Sequence, residues 1–456
     1  MIQTINPATE AVIENYPVLP SEEASTAVQH AHQAYMNWRK TSFETRKHLF
    51  LKLADLLEQK KASFAKLMAE EMGKPIESGQ QEIEKCVWVC QHYAEQGEAY
   101  LADEVVQTTM KETRVVYKPL GVVFGIMPWN FPFWQVFRYA VPTLVAGNAT
   151  VLKHAPISSG SGAAIERLFI EAGFPKGVFQ HLVLDNAVAA EVMGHPHVVG
   201  VTFTGSAKAG REIAATAGKH LKRVVLELGG SDPAIVLKDA DIKLAAEVIT
   251  ASRLNNTGQV CIAAKRIIVD KSIAKQLRDA IESEIKTYSM GSPLLSETKL
   301  GPMARADLRD EVHRQVQASI DKGASLQLGG KLPSEKGFYY PPTILTNVKP
   351  GMPAFDEEVF GPVVAIIEVG SEKEALALAN QTEYGLGASL FTKDEARAKV
   401  MAENYIEAGA CFINGKVSSD PRVPFGGIKH SGFGRELGRE GMLAFVNMKT
   451  VAIGHA

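Results

Sequence analysis

The chain has 456 residues, 46% of them hydrophobic and 22% charged, with 49 basic against 51 acidic side chains and a formal net charge of −2. That composition is globular, and the length exceeds a single hydrophobic core, so two or three domains are expected. Balanced charge without a long basic run gives no nucleic-acid footprint, and no apolar run nears the roughly 18 residues of a membrane span, so neither partner is expected. The opening "MIQTINPATE" lacks a charged segment followed by an apolar one, which points to a cytoplasmic protein. Four cysteines (Cys86, Cys90, Cys261, Cys411) are too sparse for a disulfide framework and fit a reducing compartment.

In chain order, Ala24, Ala27, Val28, Ala31, Ala34, Tyr35 and Trp38 recur at helical spacing, with Ser21 as a candidate cap. "ETRKHLFLKLADLLEQKKASFAKLMAEEMG" predicts one or two further helices that end near Gly73. Cys86 and Cys90 lie four apart, on one face of a helix beside Val87 and Tyr93. Core packing is the simpler reading there, and a metal site would need more ligands than nearby His92. "RVVYKPLGVVFGIMPW" reads as strands. From there apolar runs ("NATVLKH", "VFQHLVL", "HVVGVTFTG", "RVVLELGG", "PAIVL") alternate with helical ones ("GSGAAIERLFIEAG", "SAKAGREIAATAG", "IKLAAEVITASRL"). The alternation predicts an α/β fold with a mostly parallel sheet. A second α/β region is expected from about Ala263 to Asn414, with "KRIIVD", "VVAIIEV" and "GASLFT" as strands.

Several segments carry candidate chemistry. "VTFTGSAKAG" is a strand, a turn and a helix start, where Gly205 and Ser206 suit a phosphate or a plain turn. Lys153, at a strand tip in "VLKHAP", can bond a ribose or phosphate, or simply be solvated. In "MPWNFPFW" two prolines bracket Asn130, whose amide either closes a turn or donates to an oxyanion. Glu227 stands inside an apolar run, either paired or tuned as a base by desolvation. "NNTGQVC" ends at Cys261, a reactive thiol or a small core residue. A thiol, a buried carboxylate, an amide donor and a dinucleotide-type sheet together suggest acyl chemistry coupled to hydride transfer.

These segments resemble the NAD(P)-dependent aldehyde dehydrogenases. "PWNFP" at Pro128–Pro132, "FTGS" at Phe203–Ser206, "ELGG" at Glu227–Gly230, "GQVC" ending at Cys261, "EEVFGP" at Glu357–Pro362 and "PFGGIKHSGFGRE" at Pro424–Glu436 follow the family's order. The 34 positions from Glu227 to Cys261 are the family's usual separation. The resemblance implies Cys261 as nucleophile, Asn130 with the Cys261 N–H as oxyanion donors, and Glu227 as the base that hydrolyses a thioester after hydride transfer. Members that release the acyl group to coenzyme A typically lack this glutamate. It also implies dinucleotide contacts from Trp129, Asn130, Lys153, Pro156, Gly205, Ser206, Leu228, Glu358 and Phe360, with Glu358 on the nicotinamide ribose. Many NAD-preferring members carry a glutamate at the place of Pro156, so the reading leans to NADP or to both dinucleotides. His154 is a surface histidine or a second 2′-phosphate contact.

Within the family the chain is similar to short bacterial succinate-semialdehyde dehydrogenases. These carry arginine at the place of Arg138, where it holds the far carboxylate; a guanidinium suits bidentate capture. The alternative is a structural ion pair. Ser419 and Phe425 match other tunnel positions, and Asn255 replaces a second arginine found in some relatives; Arg253 is near in sequence. Ala263 rules out a redox switch between adjacent cysteines. Succinate semialdehyde is therefore the expected substrate. Another small anionic aldehyde, a general aldehyde, a thiol esterase and a non-catalytic protein are the alternatives. No metal is expected. The implied architecture has a dinucleotide-binding domain at 1–100 and 119–228 and a catalytic domain at 229–438. Strands in 101–118 and 439–456 would build a homodimer or homotetramer.

Overall fold

The computed structural model describes residues 1–455. A six-stranded sheet has the order Gly432–Phe433, Arg223–Glu227, Val198–Thr204, Val122–Met127, Ala149–His154, Phe179–His181. All its pairings are parallel except the first. The chain runs outward from Val122–Met127 through Ala149–His154 to Phe179–His181, then crosses back to Val198–Thr204 on the other side. Such a reversal leaves a crevice beyond the carboxyl ends of the two central strands, where α/β sheets bind ligands.

A seven-stranded sheet takes Ser325–Leu328, Thr343–Thr346, Val363–Val369, Arg266–Asp270, Pro233–Val236, Gly387–Phe391 and Ala410–Ile413, again parallel apart from its first pair. Val446–Ile453, Glu112–Pro119 and Glu104–Val105 form a separate antiparallel sheet of three strands. Continuous apolar runs became strands covered on both faces: every residue of Ala149–His154 is buried. Among the described residues no helix is long and apolar enough to cross a membrane, and no group of three or more His, Cys, Asp or Glu is placed to hold a metal ion.

Local differences from the sequence reading have physical causes. The first helix is Ser21–Trp38, capped by Pro20 without a side-chain bond, so Ser21 lies inside it and its hydroxyl bonds Glu191 instead. "VFQHLVL" forms only Phe179–His181, an edge strand bonded on one side. Cys86 and Cys90 are fully buried in Ile76–Tyr100 and belong to the core. The segment from 439 begins inside a short helix, Gly438–Leu443, before its strand starts at Val446.

Candidate active site

Cys261 sits on a loop whose path the preceding residues force. Asn256, Thr257 and Gly258 occupy the left-handed region in succession, at φ 50°, 56° and 74°. Thr257 is β-branched, so this is strained backbone held by its surroundings. Those surroundings are on hand. Thr257 Oγ1 donates to the Gly301 carbonyl at 3.0 Å, and the Gln259 side chain donates to Asn256 O at 3.1 Å and accepts from Ala304 N at 3.0 Å. A Cβ at Gly258 would fall 2.3 Å from the Gly361 carbonyl, so only glycine fits. Arg253 points inward, donating to Val359 O at 2.8 Å and Val363 O at 2.7 Å, and so lies away from the cavities. Asn130 is tied to the same loop. Its Nδ2 donates to Gln259 O at 3.0 Å, and Asn256 Nδ2 donates to Asn130 O at 2.8 Å. The Asn130 carboxamide therefore has a fixed orientation and one N–H to spare.

Two cavities meet at Cys261. The first, about 250 Å³, is lined by Trp129, Asn130, Gly205, Ser206, Leu228, Glu358 and Phe360, together with Thr204, Gly229 and Leu308. It occupies the crevice at the strand ends described above. Ser206 Oγ accepts from Ala209 N at 3.3 Å and caps the helix Ala207–Lys219, leaving its hydroxyl hydrogen free. Trp129 and Phe360 pack edge to face at 5.9 Å. Glu358 accepts from Gly230 N at 3.0 Å and pairs with Lys265 at 3.3 Å, and a Cβ on Gly229 would meet its carboxylate at 2.2 Å. Lys153 and exposed Pro156 lie outside this lining, at the end of the neighbouring strand. His154 does not face that side. It is buried, with Nε2 on Pro132 O at 2.8 Å and Nδ1 accepting from Ala155 N, so it is a neutral structural ring.

The second cavity, about 300 Å³, gathers Arg138, Asn255, Ser419 and Phe425 around Cys261. All four expected substrate residues thus share one space. Arg138 has a second commitment, however. It forms a buried ion pair with Glu436, donates to Thr204 Oγ1 at 3.2 Å, and stacks over Phe425 at 4.8 Å. The structural ion pair and the cavity position are both real, so its charge is largely balanced within the protein.

Glu227 lines neither cavity. It is 2% exposed, neither carboxylate oxygen has a hydrogen-bond partner, and Oε1 lies under Gly426. Burial drives its pKa well above the ordinary carboxyl value, opposed by Arg138 and Arg435 and reinforced by Glu436. A carboxyl group raised in this way holds a proton more tightly than an ordinary one, so its ionised form is the stronger base.

Burial likewise pushes the Cys261 thiol up to about 12, with Lys265 and Arg138 pulling it back. Lys265 Nζ donates to Cys261 O at 2.6 Å and Val260 O at 2.9 Å, directly behind the nucleophile. At that value the resting group is a neutral thiol, which reacts with oxidants and alkylating agents more slowly than a thiolate does. The rate of iodoacetamide labelling of Cys261 in the free protein is expected to rise about tenfold per pH unit from 6 to 9, since only thiolate reacts. A plateau near pH 7 in a mass-spectrometric time course would contradict this.

The sequence profile of the aldehyde dehydrogenase family matches residues 1–451. The chain belongs to that family. This aldehyde dehydrogenase is 46% identical over 452 residues to a protein of Synechocystis sp. named probable succinate-semialdehyde dehydrogenase (NADP+), with 99% of each chain covered. It is 45% identical to a succinate semialdehyde dehydrogenase (NAD(P)+) of Escherichia coli, over 98% of this chain and 97% of that one. A solved structure of succinic semialdehyde dehydrogenase from Streptococcus pyogenes with NADP+ is 36% identical and superposes with a TM-score of 0.97 over the whole of both chains.

Several residues of this aldehyde dehydrogenase's cavities escaped the sequence reading. Ser78, Gln81, Glu82 and Lys85 line the second cavity from the helix Ile76–Tyr100, with Trp134 and Gln135 from Trp134–Val145. The spacing of the first four is i, i+3, i+4, i+7, a polar stripe on one helical face. That stripe was a usable signal. Glu436 had none, because its ion-pair partner Arg138 is distant in sequence.

Proposed function

We propose that this enzyme oxidises succinate semialdehyde to succinate with NADP+ or NAD+. The observation that carries the reading is the meeting of a dinucleotide-type crevice and a cationic cavity at one thiol, Cys261. The names of relatives aligned along the whole chain support it. The Cys261 thiol gives up its proton to solvent in the cavity as its sulfur bonds the aldehyde carbon and the C=O electron pair moves to oxygen, and the spare Asn130 N–H and the Cys261 backbone N–H would face that oxyanion. The dinucleotide, when bound, supplies the acceptor for hydride. The acyl group is then a thioester on Cys261, which splits one difficult step into two. Glu227 turns from beneath Gly426 and removes a proton from water; the hydroxide bonds the acyl carbon, the C–S bond breaks, and the Cys261 sulfur leaves and is reprotonated to the thiol as the carboxylate is released.

Trp129, Gly205, Ser206, Leu228, Glu358 and Phe360 would hold the dinucleotide, with Lys153 and Pro156 at the adenosine ribose. The glycines at 205 and 229 and the anchored Glu358 make a cradle that fits it, because a Cβ at Gly229 would displace the carboxylate. Proline at 156 brings no negative charge against a 2′-phosphate, and Lys153 forms no ion pair among the described residues, which supports use of both dinucleotides. We further propose the domain division 1–100 with 119–228, and 229–438; every strand of the two large sheets supports it except Gly432–Phe433, which joins the six-stranded sheet. A homodimer or homotetramer through 101–118 and 439–456 is supported by the exposed edge strand Val446–Ile453, where Met448, Val451 and Ile453 face outward. We also propose a cytoplasmic location, which the four free cysteines support because they suit a reducing compartment.

Steady-state kinetics on succinate semialdehyde, butanal and benzaldehyde with each dinucleotide tests the reading. Succinate semialdehyde is expected to give the highest kcat/KM, by about tenfold or more for a charged hydrogen bond. Equal efficiency on butanal would refute the substrate.

A further inference from the structure

The charged groups around the aldehyde cavity are mostly committed to one another. Arg138 is paired with Glu436. Glu82 is paired with buried Lys74 and also accepts from Phe133 N at 2.8 Å and Trp134 N at 2.9 Å, capping the helix that carries Arg138. Asp420 is held bidentate by Arg422, at 2.9 and 2.6 Å. Lys416 is exposed. One part-buried ammonium, Lys85, has no carboxylate within ion-pair distance. Its Nζ lies 4.4 Å from the Trp134 ring centroid and donates to Ser419 Oγ at 2.7 Å. An ammonium carries three donors, and its bonds to a carboxylate are shorter and stronger than those to a neutral hydroxyl. Here one donor meets a neutral hydroxyl and another faces a ring, inside a cavity that opens on Cys261.

We propose that Lys85, with Ser419, is the site that captures the distal carboxylate of the substrate. Arg138, bound through Nε to Glu436 and through Nη2 to Thr204, faces the same cavity beside Lys85. The proposal rests on the semialdehyde reading and deepens it, because it adds to Arg138 a second cation, on the adjoining helix Ile76–Tyr100, that faces the same cavity. Lys85 fills the cationic place that Asn255, an uncharged and exposed residue, does not.

Burial and neighbouring Arg138 lower the Lys85 ammonium to about 8, with Cys86, Asp420 and Glu82 acting in the opposite sense. Those are the charged and titratable groups that act on it from its own helix, from Trp134–Val145 and from the loop at 420. The captured carboxylate stays ionised throughout, so capture is full well below pH 8 and fades as pH rises through it.

The test compares kcat/KM for succinate semialdehyde with that for butanal, its uncharged four-carbon counterpart. Lys85→Met is expected to lower this ratio about 10- to 100-fold, the range for a charge-assisted hydrogen bond, chiefly through KM for the semialdehyde. Lys85→Arg should keep most of it and extend it above pH 8. In the wild-type enzyme the ratio should fall between pH 7.5 and 9.5, a readout that needs no variant. A Lys85→Met ratio within twofold of wild type, or a flat wild-type ratio over that range, would overturn the role of Lys85 while leaving the substrate standing. A wild-type enzyme with no preference for the semialdehyde would overturn both.

Discussion

Cys261→Ala is expected to lower aldehyde-dependent formation of reduced dinucleotide by about 10⁴-fold or more, the scale seen when a covalent nucleophile is removed. The remaining thiols cannot stand in for it. Cys86 and Cys90 are fully buried in the core, where desolvation raises their pKa values well above the ordinary thiol, and Cys411 is pushed up to about 11 on a strand outside both cavities. Alanine removes one sulfur atom from a part-buried site whose backbone is held through Asn130, Gln259 and Thr257, so the loop should keep its path. Binding of NADP+ by calorimetry is the control and should stay within a few-fold of wild type. Normal turnover in this variant would remove the thioester mechanism altogether.

Glu227→Gln is expected to leave the first half of the reaction and cripple the second. Steady-state turnover should drop about 10²- to 10⁴-fold, the usual contribution of a general base. Rapid mixing should show a burst approaching one reduced dinucleotide per Cys261, followed by a slow phase. Glutamine is close to isosteric, and the carboxylate it replaces has no hydrogen-bond partner to lose. The sign of the pH dependence follows from the raised pKa. Water activation needs the ionised form, so wild-type deacylation is full above that pKa and is lost as pH falls through it. A variant with an unchanged slow phase would shift the base elsewhere.

The sequence was legible wherever function and local pattern coincide. Parallel strands buried on both faces must be apolar along their whole length, so "NATVLKH" and "VVAIIEV" announced themselves, as did the turn glycine that ends the helix Lys61–Met72 at Gly73. The strand-turn-helix pieces holding Asn130, Gly205 and Ser206 were readable because they lie at strand ends. Their convergence required only the sheet order. Arg138 was found as a cavity residue, while its pairing with Glu436 joins residues almost 300 positions apart and had no local mark. Lys85 was hidden for a different reason. It adjoins Cys86, a core residue, and its meaning depends on which face of a long helix turns toward Trp134 and Ser419.

By itself, then, the sequence determined the fold class, the family and the identity of the chemical groups, because strand periodicity, glycine geometry and nucleophile type are local properties. Only the tertiary structure decided which charges are already spent. Arg138, Glu82 and Arg253 are each bound by groups brought in from other segments, whereas Lys85 has no carboxylate within ion-pair distance. Electrostatic balance and desolvation depend on everything within a few ångströms in space. For that reason the "NNTGQVC" loop could name its thiol but not its protonation state, nor the cation across the cavity from it.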